Sequence, residues 1–477
     1  MGGIFSRCDS VISLELKNLN TSKVMYMNNM FAYCSRLKFI NLSHFETHNV
    51  VNMQGMFTGC SSLTSIDLSS FNTENTLNMN SMFSECASLI SINMEKFNTK
   101  NVQNMENMFS HCTSLISMDL SHFNTQNIST MNRMFYNCIQ IISIDISNFS
   151  NQKLEIVDNM FNNCNSLKQI NLTNFYTDNV RSMENMFLKC SSLTSLNISS
   201  FNTNKVTNMN KLFSGCISLI SINLSHLNTH KVTKMGHMFA ECPFTALNLS
   251  NFETKNVVNM EKIFYYCKNL TSLDISSFNT ENVIDMSEMF NGCFSLTSID
   301  LSFFNTTKVK FMDKMFGNCI SLTSINLSKF DTPNLLSMNM MFYNCISLTS
   351  ISIANFNLSL LYELKNLFDS CKSLIYVELS KLGMNNIKNI DYMFFGCFSL
   401  TSINLGSYDL QSVENIQCLF VFCTNLKFID ISSFRNINKC DNFLIGLPQN
   451  GTIVINANII SEIKKQISPK WKIIINN

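Results

Sequence analysis

Residues 50–73 read VVNMQGMFTGCSSLTSIDLSSFNT, and variants of this stretch fill most of the chain. Its cysteine, Cys60, belongs to a column of seventeen cysteines. The column runs from Cys8 to Cys423 at a spacing of 26 residues, with a single step of 25 before Cys267. A fixed period of roughly 20–50 residues indicates stacked repeats, each of which forms one coil. The sequence therefore predicts a solenoid.

Two periodicities lie within each repeat. Residues 50–60 place apolar side chains at i, i+3, i+6, i+7 and i+10, which is one face of a helix. Residues 66–68 alternate apolar, polar and apolar, as a short half-buried strand does. Each repeat is predicted to run helix, turn, strand, turn. Stacking gives an α/β solenoid with a parallel sheet on one side and short helices on the other.

The apolar columns predict where the core lies. Phenylalanine stands three residues before every ladder cysteine, from Phe5 to Phe420, and methionine dominates the places four and seven before it. These side chains are too large to be covered within one coil, so each coil must cover its neighbour. We interpret the methionine and phenylalanine columns as core and not as a cofactor site.

The repeat pattern ends at about Phe434. Beyond it, residues 452–455 and 471–475 are predicted to form strands, and residues 460–467 a helix. We expect an array of about 17 repeats in residues 1–434 and a C-terminal cap in residues 435–477.

The units MFTGCSSLTSIDLSSFNT (56–73) and MFNGCFSLTSIDL (289–301) resemble the repeats of the BspA-like leucine-rich repeat surface proteins. The segment from Gly451 to Trp471 looks like the end cap of that family. The resemblance implies a curved, right-handed leucine-rich repeat superhelix with its parallel sheet on the concave face and short helices on the convex face. It also implies a surface or secreted protein, in several members an adhesin.

Localisation stays open between two interpretations. The family resemblance favours the cell surface. The sequence shows no apolar signal core and no wall anchor, and its cysteines are expected to be unpaired, which favours the cytoplasm.

The cysteine column has several possible uses. Stacked coils place neighbouring Cα atoms about 5 Å apart, which lies within disulfide range. However, the column shares the apolar face with methionine and phenylalanine, where a free thiol packs as a small apolar group. We favour buried free thiols. No C-x-x-C pair occurs, and Cys418 with Cys423 is not enough for zinc, so we predict no metal and no cofactor.

A threonine column resembles the threonine rows of ice-binding solenoids, but each threonine precedes a predicted helix, so we favour helix N-capping. The column consists of Thr21, Thr47, Thr73, Thr99, Thr125, Thr177, Thr203, Thr229, Thr254, Thr280, Thr306 and Thr332.

The outward residues of the predicted strands form serine and asparagine or aspartate rows. This uncharged, hydrogen-bonding face suits a protein or glycan partner. Equally, such rows can bond to their own neighbours and keep the sheet soluble. Aromatic and charged residues replace the regular ones near the C-terminal coils. The candidate partner-binding residues are Asp67, Asp119, Asp145, Asp274, Asp300, Tyr376 and Glu378.

The net charge and the hydropathy of the chain limit which classes of partner it can bind. The formal net charge is +1, which argues against nucleic acid, and no run of 18 apolar residues predicts a transmembrane helix. The N-terminal residues fit a lipidation motif with Gly2 and Cys8 as acceptors, although they also keep the repeat register. Membrane contact is expected only if the chain is acylated there.

We find no phosphate-binding loop and no nucleophile beside a base, and the carboxylates are too evenly spread to form a catalytic pair. The sequence predicts a non-catalytic scaffold for protein interaction or adhesion with an extended repetitive surface. The alternative is a purely structural repeat protein without a specific ligand.

Overall fold

A computed structural model describes residues 1–476. By its internal contacts the chain divides into two compact units. The N-terminal unit comprises Met1–Val232 with Met238–Pro243, and the C-terminal unit comprises Thr233–His237 with Phe244–Asn477. Both are built from the same coil, which we name by its ladder cysteine.

Short parallel strands form one side of the N-terminal unit. They pair in register with the strand 26 residues later, as Ile66 pairs with Ile92 and Ile144 with Ile170. A second line of parallel bridges joins residues eight before each cysteine, from Tyr26 to Asn208. The strands are β1 (Ser13–Leu14), β2 (Phe39–Ile40), β3 (Ser65–Asp67), β4 (Ser91–Asn93), β5 (Ser117–Met118), β6 (Ser143–Asp145) and β7 (Gln169–Asn171).

The C-terminal unit repeats this arrangement and adds the one α-helix of residues 1–476, α1 (Ile460–Lys464). Its bridge line runs from Lys234 to Lys439. Two 3-10 turns span Met384–Asn386 and Ala457–Ile459. The strands are β8 (Ala246–Asn248), β9 (Ser272–Asp274), β10 (Ser350–Ser352), β11 (Tyr376–Glu378), β12 (Ser402–Asn404), β13 (Phe428–Ile431), β14 (Thr452–Asn456) and β15 (Lys472–Asn476).

The predicted parallel solenoid is confirmed, with about 17 turns and few helices. The short helices predicted in every repeat are wrong. In residues 53–60 the N–H groups of Met56 and Cys60 reach carbonyls only three residues back, at 3.2 and 3.1 Å. Those of Met53 and Phe57 instead donate to the following coil, at 2.9 Å. An α-helix would direct every N–H to the residue four back within its own segment.

Left-handed residues explain why a helix cannot form there. Gly55 and Gly59 have φ of 60° and 71°, and the equivalent Ser81 and Glu85 have 56° and 62°. A positive φ at the third residue of a tight turn is typical of a type II turn and is incompatible with a right-handed helix. Two such turns bring Met53, Met56, Phe57 and Cys60 inward. Their helix-like spacing therefore has a different origin.

Stacked rings form the core of each unit. In the N-terminal unit the Phe5 column continues to Phe239 with ring centroids 5.5–6.0 Å apart and nearly parallel planes. In the C-terminal unit the column from Phe264 to Phe420 has spacings of 5.5–5.9 Å. Every ring from Phe31 onward is fully buried. These separations are typical of favourable offset aromatic pairs.

The threonine column does not cap helices, which corrects the prediction. The Thr73 hydroxyl donates to the carbonyl of Asn98 at 3.0 Å and accepts from the N–H of the same residue at 2.8 Å. Thr99 makes the same two bonds to Asn124, at 2.9 and 2.7 Å. Both threonines are fully buried. Each hydroxyl thus satisfies two backbone groups of the next coil.

At the C-terminal end the ladder continues past Phe434. The N–H of Phe420 donates to Phe443 at 3.0 Å, and Asn415 bridges to Lys439. Strands β12 to β15 form one four-stranded parallel sheet. The Trp471 indole is 6% exposed and donates to the carbonyl of Pro448 at 2.9 Å. The two strands and the helix predicted here are all present, with the helix shorter than expected.

Candidate interaction surface

The strands position alternate side chains on the two sides of each coil. In β3, Ser65 and Asp67 are exposed and Ile66 is buried. The same order of exposed, buried, exposed holds in β6 and β10. The first and third strand residues of successive coils therefore lie on one exposed face, which we call the strand face.

Each candidate aspartate on the strand face closes a local turn. The Asp67 carboxylate accepts the backbone N–H of Ser69 at 3.0 Å. Asp119, Asp145, Asp274 and Asp300 accept in the same way from the serine two residues later, at 2.9, 2.9, 3.1 and 2.9 Å. These hydrogen bonds favour the charged form. The carboxylates thus stabilise the bend that ends each strand.

These hydrogen bonds also lower the pKa values of the aspartates. The backbone and side-chain hydrogen bonds from Ser69 hold the pKa of Asp67 below its ordinary value. The side-chain bond from Ser121, followed by its backbone bond, does the same to the pKa of Asp119. All the aspartates of this face are therefore negatively charged near neutral pH, which makes the strand face weakly acidic at these coils.

The structure brings some of the predicted residues together. Asp119 and Asp145 lie in neighbouring coils, and the charge of Asp145 raises the pKa of Asp119 by less than the hydrogen bonds from Ser121 lower it. The Asp145 carboxylate also accepts from Asn171 at 3.2 Å. Asp67 is separate, because Asn93 is its register partner in the next strand. In the C-terminal unit, Asp274 and Asp300 belong to successive coils.

Tyr376 and Glu378 lie on the strand face of the C-terminal unit. Tyr376 is 59% exposed, and the Glu378 carboxylate accepts from Ser352 at 2.7 Å. Ile375 beside them is 56% exposed, and Phe428, two coils later, is 37% exposed. We call Ile375, Tyr376, Glu378 and Phe428 the C-terminal aromatic patch. Tyr376 and Glu378 are the candidates that the sequence predicts here, and the exposed Phe428 completes the group.

The ladder cysteines form no disulfide and are free thiols. From Cys34 to Cys242 and from Cys293 to Cys423, each thiol donates to the carbonyl of the phenylalanine 29 residues earlier, at 3.0–3.3 Å. Burial raises the pKa of Cys86 and of Cys138 to about 12. A thiol is nucleophilic only as thiolate, so these sulfurs are unreactive.

Gly2 and Cys8, the predicted lipidation acceptors, lie in the first coil. Gly3 and Arg7 donate their N–H groups to Asn28 and Ala32 at 2.9 and 2.7 Å, so this segment takes part in the ladder. Cys8 is half-buried. Acylation of either residue stays a prediction.

Sequence reasoning missed a pocket beside Asn151. The signal was present in the sequence, because residues 149–151 read Phe-Ser-Asn where six other coils read Phe-Asn-Thr. Among residues 1–476 no three His, Cys, Asp or Glu side chains gather as a metal site, and no helix has the length and apolar character to cross a membrane.

These coils define the chain as a parallel, leucine-rich-repeat-type β-solenoid protein. The family described as "Mycoplasma protein of unknown function, DUF285" matches residues 1–112, 67–175, 159–269, 242–351 and 337–444, and the chain belongs to that family. The resemblance to BspA-like leucine-rich repeat proteins predicted from the sequence is confirmed.

Several solved structures are similar to this chain. A leucine-rich repeat protein from Bacteroides ovatus is 19% identical over 76% of this chain and 88% of its own, with a TM-score of 0.32. A leucine-rich cell surface protein from Faecalibacterium prausnitzii is 19% identical over 67% and 79%, with a TM-score of 0.35. The functional domain of InlJ from Listeria monocytogenes, which includes a cysteine ladder, is 13% identical over 72% and 68%, with a TM-score of 0.20. The comparison with curated proteins gave no match.

Proposed function

We propose that this protein is a non-catalytic scaffold for protein interaction or adhesion, with the strand face as its extended repetitive surface. The observation that carries the proposal is the C-terminal aromatic patch. The first strand position there is serine in most coils, namely Ser272, Ser298, Ser324, Ser350 and Ser402, but it is Tyr376 and Phe428 in the patch.

The patch has the chemistry of an interface anchor. Tyr376 and Phe428 lie in the coils on either side of the Cys397 coil, which contains Ser402. Two strand spacings of about 4.8 Å separate them, so their rings stand about 10 Å apart. Both rings are exposed, although aromatic side chains gain free energy from burial. Interfaces are enriched in tyrosine and phenylalanine, and a few such residues carry most of the binding free energy. A side chain of the partner can enter the gap between these two rings, over Ser402.

The non-catalytic part of the proposal rests on the state of the reactive groups. The ladder thiols from Cys34 onward are buried, and burial raises the pKa of Cys86 and of Cys138 to about 12, which keeps these two protonated. The five candidate aspartates of the strand face each accept a backbone N–H of their own coil, and the Glu378 carboxylate accepts from Ser352. General acid–base catalysis needs a titrating group free to reach a substrate proton. These groups serve the fold instead.

Affinity capture with matched variants tests the proposal. The wild-type protein, the double variant Tyr376→Ala/Phe428→Ala and the control variant Tyr362→Ala are immobilised and exposed to extracts and surface fractions of the source cells. Tyr362 is 68% exposed in the same unit but lies outside the patch. We expect a protein that the wild type and the control retain and the double variant releases. The captured protein would then be purified, and the Kd of its complex with the double variant should be at least about tenfold higher than with the wild type.

The alternative, a structural array without a ligand, is favoured by the regularity of residues 272–328, where the outward serine and asparagine or aspartate positions vary little. It predicts that the wild type and the double variant retain the same proteins. That outcome would reject the interaction scaffold.

A further inference from the structure

Two neighbouring turns of the N-terminal unit depart from the rule of the other coils. In a regular turn, Asn98 accepts the N–H of Lys100 with its side chain at 3.1 Å and donates its own N–H to Thr73 at 2.8 Å. The equivalent residues Ser150 and Tyr176 have no amide to close the turn. The Tyr176 N–H instead donates to the carbonyl of Asn174 at 2.9 Å. The bonds that tie one coil to the next are therefore rearranged here.

A pocket of about 400 Å³ opens at this break. It is lined by residues 147–152 of one coil and by Asn174, Tyr176 and Asp178 of the next. Small-molecule sites range over about 300–1,000 Å³, so the pocket has room for one small ligand. It lies within the N-terminal unit and is separate from the C-terminal aromatic patch.

Asn151 gives the pocket an unused donor. It stands where other coils have the ladder threonine, and it is 3% exposed. Its Oδ1 accepts from the Thr125 hydroxyl at 3.1 Å, whereas its Nδ2 is buried and donates to no atom of residues 1–476. A buried N–H group without an acceptor costs free energy. This Nδ2 is closed off from solvent, so an acceptor on a ligand seated deep in the pocket recovers the hydrogen bond once the Asn151 amide turns toward the pocket.

The remaining lining residues indicate the class of ligand. Ser150 and Gln152 carry hydroxyl and amide groups that can both donate and accept, whereas the Asn148 amide already donates to the carbonyl of Ser121 at 2.7 Å. No lysine or arginine lines the pocket. Tyr176 is 50% exposed and presents one aromatic face. Asp178 accepts from Asn202 at 2.7 Å and adds a negative charge. This set disfavours phosphates and carboxylates and favours a neutral ligand with many hydroxyl groups.

We propose that this pocket binds a single neutral sugar ring, with the C–H face of the pyranose against Tyr176 and a ring hydroxyl or acetamido oxygen accepting from Asn151 Nδ2. The lone aromatic ring fits one apolar face of a pyranose, and the amides fit its hydroxyl edge. This site is additional to the proposed partner surface and does not depend on it.

Binding of simple glycosides tests the site. The probes are methyl α-D-mannopyranoside, methyl β-D-galactopyranoside, methyl β-D-glucopyranoside and N-acetyl-D-glucosamine, each titrated into the full chain and followed by saturation-transfer NMR and calorimetry. We expect at least one of them to bind saturably with a Kd of about 1 mM or tighter. If none saturates, the proposal is overturned.

Variants then locate the binding. The double variant Ser150→Asn/Asn151→Thr restores the Phe-Asn-Thr turn of the other coils, so it should fold and should weaken binding at least about tenfold. Tyr176→Ala should weaken it similarly, while Tyr26→Ala, which removes an equally exposed tyrosine (53%) of the same unit, should leave it unchanged. Glycoside binding that persists in the folded double variant would place the sugar elsewhere and overturn the assignment.

Discussion

The threonine ladder gives the sharpest test of how one coil holds the next. Thr99 is fully buried, and its hydroxyl makes both hydrogen bonds available to the backbone of Asn124. In Thr99→Val the shape of the side chain is kept, but the partly buried N–H and C=O of Asn124 both lose their partner. An unsatisfied group costs about 1–3 kcal/mol when fully buried, so for these two groups we expect a loss at the lower end, about 2 kcal/mol in total.

Thr99→Ser is the matched control. It keeps the hydroxyl and removes only one methyl group, which should cost roughly 1 kcal/mol. The difference between the two variants therefore isolates the hydrogen bonds from the packing. Because stability in a solenoid is a sum over coils and their interfaces, the loss should be concentrated at the coils that contain Thr99 and Asn124.

The assay is urea unfolding followed by circular dichroism, together with native-state hydrogen exchange of the Asn124 amide. The valine variant should unfold at lower urea than the serine variant, and its Asn124 amide should exchange much faster. If the valine variant lies within about 0.5 kcal/mol of the serine variant, the hydroxyl bridge contributes nothing net and the reasoning fails.

Two further predictions concern titrating groups. With a thiol reagent at mild alkaline pH, only the half-buried Cys8 and Cys440 should react quickly in the native protein, while all 19 cysteines should react in denaturant. Rapid native-state reaction of the ladder thiols from Cys34 onward would contradict their burial. Desolvation raises the pKa of Asp313 in the folded protein above its value in the unfolded chain. As the pH rises, the unfolded chain therefore loses this proton first. The free energy of unfolding should fall as the pH rises from about 3.9, the unfolded value, through the folded pKa. Asp313→Asn should remove that slope and be more stable than the wild type at neutral pH. If the wild type and Asp313→Asn have the same free energy of unfolding in urea across this pH range, desolvation of Asp313 does not act as described.

The solenoid could be predicted because the repeat itself encodes the long-range contacts. A residue such as Phe57 recurs 26 positions later as Phe83, and stacking identical coils brings the two rings together at 5.7 Å. The free cysteines followed from the same argument, since Cys60 shares an apolar column with Phe57. The register therefore needed no information beyond the period.

The backbone between Met53 and Cys60 could not be predicted from periodicity alone. Turns closed three residues apart and helical turns place apolar residues at similar spacings. The distinction comes from N–H groups that bond to the next coil and from left-handed residues such as Gly55. The frequent Gly and Asn at those two positions were the available signal. For the same reason the threonine hydroxyls were assigned to helix caps instead of to the neighbouring coil.

The candidate site was less accessible to sequence reasoning. The acids of the strand face were predicted from their alternation, but their main contact, the N–H two residues later, is local and does not mark a binding site. The pocket at Asn151 lies where the hydrogen bonds of the turn are rearranged, and those bonds are visible only in three dimensions. Both proposed sites lie at departures from the repeat, namely Ser150 and Phe428.

Deleting one complete coil tests the central claim most directly, namely that residues 26 apart occupy equivalent places in a parallel ladder. Removal of residues 87–112 joins Cys86 to Thr113 and keeps every column in register, whereas removal of residues 87–99 shifts them by half a coil. In urea unfolding the 26-residue deletion should show a cooperative transition close to that of the full chain, and the 13-residue deletion should lose most of its stability. Equal loss of stability in the two deletions would contradict the stacked-coil account.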